Sequence, residues 1–394
     1  MADLTKESAD RVPPRSVAAV ITAYRPGLHA DVLAGKILEG WEQDGGKGPN
    51  LRLASMYIDQ SKPDDLGLAM AKKYNIPIFD TIEEALTVGT DRIGVDGVLS
   101  IGEHGGYPWN DKGQHLYPRR RFFEQITDTF EKYDKVVPVF NDKHLGPVWS
   151  DAKWMYDRAL DLKIPFMAGS SIPVTFRKGD PTIPMNTPIE EILAIGYSGL
   201  DIYGFHTLEA LQAIAERRRG AEKGVQWVQC LQGDLIWKAV DEGRVRKELL
   251  DAALDKVPKS SDVDPRSLVR DDVALFLFKY HDGVRGSVFM LHGFAQGFAV
   301  AVQRKGKRRL LATHIEERMT PRHPHFAYLL QAIERMFHSG RPSYPVERTL
   351  LTSGILDRAL TSRVQDYRQL ETPELAISYT PVDYPHAPHP PLAG

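Results

Sequence analysis

Val136-Val-Pro-Val-Phe-Asn-Asp-Lys-His144 decides how this chain is read: an apolar run of strand length ends abruptly in polar, chemistry-capable side chains. Two earlier stretches repeat the pattern. Ser16-Val-Ala-Ala-Val-Ile21 runs into Thr22-Ala-Tyr-Arg-Pro-Gly27, and Asp96-Gly-Val-Leu-Ser-Ile101 runs into Gly102-Glu-His-Gly-Gly-Tyr107. In an open parallel sheet the carboxyl ends of the strands face the ligand crevice. Read as parallel strands, the three stretches deliver Glu103, His104, Asp142, Lys143 and His144 to one crevice. That is the pattern of a small-molecule enzyme site on a nucleotide-binding type of domain.

The segments between them alternate in the way a parallel sheet requires. Helical patterning covers 29–41, with Val32, Leu33, Ile37 and Leu38 on one stripe, and recurs at 66–74, 81–87, 117–133 and 150–162. Thr81 with Glu84 three residues on predicts a capped helix start. Strands are expected at 51–58, 76–79 and 164–168. A Pro-, Lys-, Asp- and Thr-rich stretch at 177–188 reads as a loop between two sheet systems. Beyond it, 189–197 and 204–219 carry helical or strand-like apolar patterning, with a helix opening at Gly204; 224–231 reads as a strand, 273–280 and 284–292 form a hairpin around a His281-Asp-Gly283 turn, 299–302 and 310–315 extend an antiparallel sheet, and helices are expected at 325–339 and 346–362. The tail from Thr380, with five prolines, is expected to be extended and to pack on a neighbour.

The chain has 394 residues and a formal net charge of −2, which leaves no bulk electrostatic case for nucleic acid or an anionic membrane. Its single cysteine, Cys230, cannot make an internal disulfide. The first fifteen residues are polar and unlike a signal peptide. No apolar run approaches the roughly 20 residues that span a bilayer. A soluble cytoplasmic protein is expected.

A dinucleotide loop would place Gly-x-Gly-x-x-Gly after the first strand. Thr22, Tyr24 and Gly27 stand there, so only the packing glycine is kept and the Tyr24 ring is expected near the phosphate approach. Arg25 could contact phosphate instead, or be a solvated loop arginine. Asp59, ending the second strand, is placed for a ribose hydroxyl, although 45–50 lengthens the usual spacing. Glu103, His104, Asp142 and His144 could together bind a divalent metal, or form a hydrogen-bonded crevice without one. Arg119, Arg120 and Arg121 begin a helix, where positive charge opposes the helix dipole and calls for an anionic partner, from substrate or from the protein. His206 and Glu209 share a helix face and could be an acid–base group and its orienting carboxylate, or structural.

Val139-Phe-Asn-Asp-Lys-His-Leu-Gly146 resembles the Glu-Lys-Pro segment of the glucose–fructose oxidoreductase, inositol dehydrogenase and MocA family, with Asp142 at the glutamate, Lys143 at the lysine and His144 for the proline. Gly204-Phe-His-Thr-Leu-Glu209 is similar to its Gly-x-His-x-x-Asp. The hairpin at 273–292 and the late helix after Gly340-Arg-Pro342 fit as well, so the likeness spans nearly the whole chain. The resemblance implies an α/β protein: a Rossmann-type parallel sheet in residues 1–168, then an α/β substrate and oligomerisation domain in 169–394 with a large, mostly antiparallel, open-faced sheet. It implies a homodimer or homotetramer through that face. It further implies NAD or NADP, which Thr22, Tyr24, Arg25, Gly27 and Asp59 would meet, and a carbohydrate substrate with Lys143 at its hydroxyl, His206 exchanging the proton, and Asp142, His144 and Glu209 beside them. The Glu103-His-Gly-Gly-Tyr-Pro108 turn and the Tyr117-Pro-Arg-Arg-Arg121 run are not general features of that family; from their place at the crevice, Glu103 is expected at the cofactor and His104, Tyr107, Arg119 and Arg120 at the substrate.

Two enzymatic functions follow, beside a third, non-enzymatic reading as a sugar-sensing or scaffold protein on a retired dehydrogenase fold. One is an NAD(P)-dependent oxidoreductase acting on a sugar, polyol or cyclitol. The other, suggested by the altered glycine loop, is a nicotinamide-independent, metal-assisted lyase, epimerase or hydrolase on a keto-sugar in the same crevice.

Overall fold

A computed structural model describes residues 12–62, 65–179 and 183–389. Most of the polar amino-terminal stretch, part of the 177–188 loop and the last prolines lie outside the described residues. The first half is built from β1 (Arg15–Ile21), α1 (His29–Glu39), β2 (Leu51–Ile58), α2 (Leu66–Tyr74), β3 (Ile78–Phe79), α3 (Ile82–Thr87), β4 (Gly97–Ile101), α4 (Arg119–Lys132), β5 (Val139–Asp142), α5 (Trp149–Asp161) and β6 (Phe166–Gly169). Its six strands are parallel in the order β3-β2-β1-β4-β5-β6. The order reverses between β1 and β4, and ligands bind at such a switch point. Continuous apolar strands such as Val17–Ile21 are buried on both faces, as helix-covered parallel sheets require. Thr81 caps α3 through the Glu84 amide at 3.1 Å. The third diagnostic strand starts at Val139, later than its apolar run, since Pro138 has no N–H and contributes only its carbonyl, to Val98.

The chain continues through β7 (Phe176–Gly179), β8 (Ile189–Gly196), α6 (Ile202–Ala215), β9 (Val225–Leu231), α7 (Asp234–Asp241), α8 (Lys247–Lys256), β10 (Val273–Tyr280), β11 (Arg285–Leu291), β12 (Phe298–Arg304), β13 (Leu311–Glu316), α9 (Pro324–Ser339), α10 (Glu347–Val364) and β14 (Leu370–Glu371). The second sheet has eight strands, β14-β9-β10-β11-β8-β12-β13-β7, with only β11 and β8 parallel. Helices α6 and α10 pack on one face through Phe205, Leu208, Leu351 and Ile355.

Three features depart from the sequence reading. Part of the 177–188 loop is the edge strand β7, paired with β13. Helices α7 and α8 were not anticipated; Ile236, Val240, Leu249 and Ala253 cover Leu193, Ile195, Leu275 and Phe289 on the sheet's second face. An oligomer built there would have to form over those helices. The tail packs on its own chain, with the Ala387 amide bonded to the Val174 carbonyl at 2.9 Å and Asp383 paired with Arg217 at 2.6 Å. Helix α9 returns to the first sheet, where Phe326, Leu329, Ile333 and Phe337 join the core of β1 and α1. Among the described residues no helix is long and apolar enough to cross a membrane.

Candidate active site

Lys143 is the first residue after β5 and adopts φ +71°, a left-handed conformation that costs a side chain with a Cβ roughly 1–2 kcal/mol. Reciprocal backbone bonds with Gly169, at 3.0 and 3.1 Å, hold it there. His104, in the turn after β4, is likewise left-handed at φ +70°. The chain thus spends backbone energy at two residues of one crevice.

Lys143 Nζ lies against His206 Nε2 on the first turns of α6 and 3.8 Å from Glu103 Oε1. The Glu103 carboxylate also accepts from Arg119 at the start of α4. Arg119 reaches the His144 ring Nε2 at 3.1 Å, and His29 Nδ1 meets Asp142 Oδ2 at 2.7 Å. Glu103, Arg119, Asp142, Lys143, His144 and His206 are all buried. Burial pushes the Glu103 carboxyl up, but Lys143 and Arg119 outweigh it and hold it below the ordinary range. Burial, reinforced by these cations, pulls His29, His144 and His206 well below their ordinary values and brings His104 down to about 4. Burial lifts Asp142 to about 6 against the pull of Lys143 and Arg119. The four imidazoles are therefore neutral near pH 7. With Nε2 accepting from Lys143, the ring proton of His206 sits on Nδ1.

Several buried atoms here have no partner: His104 Nε2, Asp142 Oδ1, His144 Nδ1, His206 Nδ1, and Oδ1 of Asn141 and Asp201. Buried polar groups are nearly always bonded, so a cluster of orphans at a strand-end crevice marks where a polar ligand belongs. A lysine donor, a neutral histidine and an adjacent carboxylate can together move a proton at a substrate hydroxyl or carbonyl oxygen.

The metal expectation is corrected. Among the described residues no group of three or more His, Cys, Asp or Glu side chains could hold a metal ion. The Arg119 guanidinium, bonded to both Glu103 and His144, puts a fixed positive charge where a cation would need ligands, and Asp142 is turned to His29.

Other expected residues separate. Arg119 faces the crevice, whereas Arg120 pairs with Asp151 at 2.8 Å and lies over the Trp154 ring. Arg121 pairs with Asp59 at 2.7 Å, so each arginine of the run finds a carboxylate of the protein. Glu209 does not reach His206: it accepts from the Ser170 amide at 2.8 Å and from Thr349 at 3.1 Å, and supports the turn after β6. Burial holds its carboxyl up at about 7.

At the β1–α1 turn, the Tyr24 ring is buried in the core with Ile58, Met70 and Ala71 and does not stand in the loop where the sequence reading put it. The Thr22 hydroxyl donates to the Glu103 carbonyl at 2.5 Å and ties β1 to the β4 turn. Gly27 has φ +72°, and a Cβ there would meet His323 Nε2 at 3.8 Å. Its amide donates to Asp31 at 2.8 Å. The amides of His29, Ala30 and Asp31 in the first turn of α1 have no acceptor, and Arg25 beside them is exposed and without an ion pair among the described residues. Asp59 accepts from Tyr57 at 2.7 Å, Tyr107 at 2.6 Å and Arg121.

Sequence reasoning missed His29, which joins the α1 turn to Asp142, and Asp201, which holds the His115 amide at 2.9 Å. His29 opens the first helix at the switch point, a position that could have flagged it. Nothing local marks Asp201.

No protein-family model and no curated protein matches the chain. Solved structures do match. GenD2 from gentamicin A biosynthesis, in complex with NAD, is 13% identical with a TM-score of 0.58, over 91% of this chain and 97% of that one. Apo scyllo-inositol dehydrogenase from Lactobacillus casei is 11% identical, TM-score 0.55, over 91% and 98%. An oxidoreductase from Agrobacterium radiobacter in complex with NAD+, L-tartaric acid and magnesium is 15% identical, TM-score 0.52, over 90% and 98%. The likeness covers both sheets and is one of fold, the fold that the resemblance implies.

Proposed function

We propose that this protein is an NAD(P)-dependent oxidoreductase acting on a hydroxyl or ketone carbon of a sugar, polyol or cyclitol. The observation that carries the proposal is the buried Lys143–His206 contact beside Glu103, at the carboxyl edge of a parallel sheet and ringed by unpartnered polar atoms. The dehydrogenases of the same fold support the redox assignment.

The residues present fit a dinucleotide. Three amides at the start of α1 without an acceptor among the described residues, and the unpaired Arg25, suit a pyrophosphate, with the left-handed Gly27 making the turn beside them. Asp59 and Arg121 suit a ribose and a phosphate on it, with the Tyr107 hydroxyl standing where a ribose hydroxyl would bond. When bound, the nicotinamide supplies the hydride acceptor or donor. The protein supplies the rest. Lys143 bonds the substrate oxygen and polarises it. His206, neutral and adjacent, takes or returns the proton through the lysine contact. Glu103 holds Lys143 by its charge, and Arg119 holds the neutral His144 ring by donating to its Nε2.

A nicotinamide-independent epimerase or lyase is the second reading. It is favoured by one arrangement: Asp59 already carries three donors and the Gly27 amide is already spent on Asp31. Lys143→Ala tests the first reading: turnover of sugars with NAD(P) should vanish while cofactor affinity is kept. A fully active variant would remove Lys143 from the mechanism. We keep residues 1–168 and 169–394 as the functional division, with α9 returning to the first unit, and a cytoplasmic setting on the strength of the lone, buried Cys230.

A further inference from the structure

Beside the reaction crevice lies a cavity of about 570 Å3, lined by Trp109, Asp201, Tyr203, Arg270, Asp272 and Arg363, among others. The Tyr203 ring is 5.6 Å from the His206 ring, so the cavity adjoins the acid–base pair.

Trp109 is 57% exposed, yet it is held rigidly. One face of its indole stacks on His115 at 4.2 Å and 20°, and His115 packs at a 34° tilt against Tyr117 at 4.0 Å. A backbone bridge joins residues 109 and 115, and His115 is fixed through its ring to the Tyr107 carbonyl at 2.9 Å and through its amide to Asp201 Oδ2 at 2.9 Å. Lys112 and Gln114 pin the loop to Asp357. The outer indole face is left to solvent, at a cost in hydration that a core position would avoid.

Polar capacity is also unspent. Asp201 is buried, 3% exposed, and its Oδ1 has no partner. Arg363 is half-buried on the wall and makes no ion pair among the described residues. A rigid aromatic plate with a guanidinium on the wall and a buried, unpartnered carboxylate in the lining matches one chemistry well: a pyranose, whose C–H face is apolar and whose edge carries hydroxyls. A preorganised plate costs little entropy on binding.

We propose that this cavity is a saccharide subsite. It holds a second sugar ring, stacked on Trp109 with its hydroxyls on Asp201 and Arg363, while the reacting ring lies at Lys143 and His206. The substrate is therefore a glycoside of two or more rings. This assignment deepens, and rests on, the carbohydrate reading above.

The test is calorimetric titration of the full chain with maltose, cellobiose, lactose, sucrose, trehalose and glucose. At least one disaccharide should bind tenfold or more tightly than glucose. Trp109→Ala should lose that tenfold advantage with glucose affinity unchanged, Trp109→Phe should keep most of it, and Arg363→Met should weaken disaccharides alone. Disaccharides that bind no better than glucose, or not at all, would overturn the subsite, as would affinity indifferent to Trp109 and Arg363. Binding is read without turnover. A Trp109-dependent disaccharide site in a protein that never uses NAD(P) would leave the subsite standing and remove the oxidoreductase.

Discussion

Replacing Glu103 with glutamine should destabilise the folded protein by about 3–5 kcal/mol at pH 7, the cost of breaking a buried ion pair from one side. The size follows from what Glu103 neutralises. It is 1% exposed, it bonds the wholly buried Arg119, and it lies 3.8 Å from Lys143, which is 3% exposed. An amide keeps the shape and one acceptor but leaves two buried cations without their shared counter-charge. Unfolding entropy of roughly 2.1 cal/mol/K per residue turns that loss into a melting shift of about 4–6 °C for a chain of 394 residues. The pH dependence gives the sharper check. Burial pushes Glu103 up, but Lys143 and Arg119 more than compensate, so its folded pKa lies below the ordinary 4.5. A depressed carboxyl contributes stability that is present above the unfolded pKa and lost as pH falls through the folded one. The deficit of Glu103→Gln should therefore be full at pH 7 and shrink below pH 4.5. Urea unfolding at several pH values measures it, and Glu103→Gln with Arg119→Met should recover much of the loss. A deficit under about 1 kcal/mol at pH 7, or one that is the same in acid, would refute the charge argument.

Other consequences are as specific. His206→Asn should lower turnover by about 100- to 10,000-fold, the usual worth of a positioned acid–base group, with the melting temperature little changed; activity within tenfold of wild type would exclude His206. Arg25→Ala should weaken NADP+ by roughly 10- to 100-fold, as for a hydrogen bond to a charged group, and unchanged affinity would put the phosphate elsewhere. Tyr107→Phe frees an oxygen of Asp59 and should tighten the cofactor, a result that calorimetry would contradict if affinity fell. Glu209, held up at about 7 by burial, should make wild-type stability fall as pH rises from the unfolded value toward 7 and above. Glu209→Gln should lack that slope, and parallel stability–pH curves would show that Glu209 does not titrate as described.

The first sheet and strands β9 to β13 were legible because their patterns are strong, whereas 189–196 (β8) read equally as helix or strand and β7 read as loop. Mostly apolar runs ending in polar residues announce β1, β4 and β5, and the His281-Asp-Gly283 turn announces the β10–β11 hairpin. Helices α7 and α8 escaped because each is short and amphipathic, with its apolar side meaningful only once the second sheet exists to receive it. In the site, Lys143, Glu103 and Arg119 stood out by position at strand and helix ends. Their mutual pairing did not, since it joins turns far apart in sequence. Direction was the main loss. Tyr24 was placed correctly on the chain but points into the core, and Glu209 shares a helix face with His206 yet bonds the turn at Ser170. The inward swing of Arg119 against the outward turn of Arg120 follows from which helix face meets the sheet, a fact of packing rather than of composition.

The most direct test of the account is calorimetric titration of the purified protein with NAD+, NADP+ and their reduced forms. The account predicts micromolar binding of at least one of them, weakened by Arg25→Ala and kept by Lys143→Ala. No binding at millimolar cofactor would contradict it, and would leave the Lys143–His206 pair to an enzyme that works without nicotinamide.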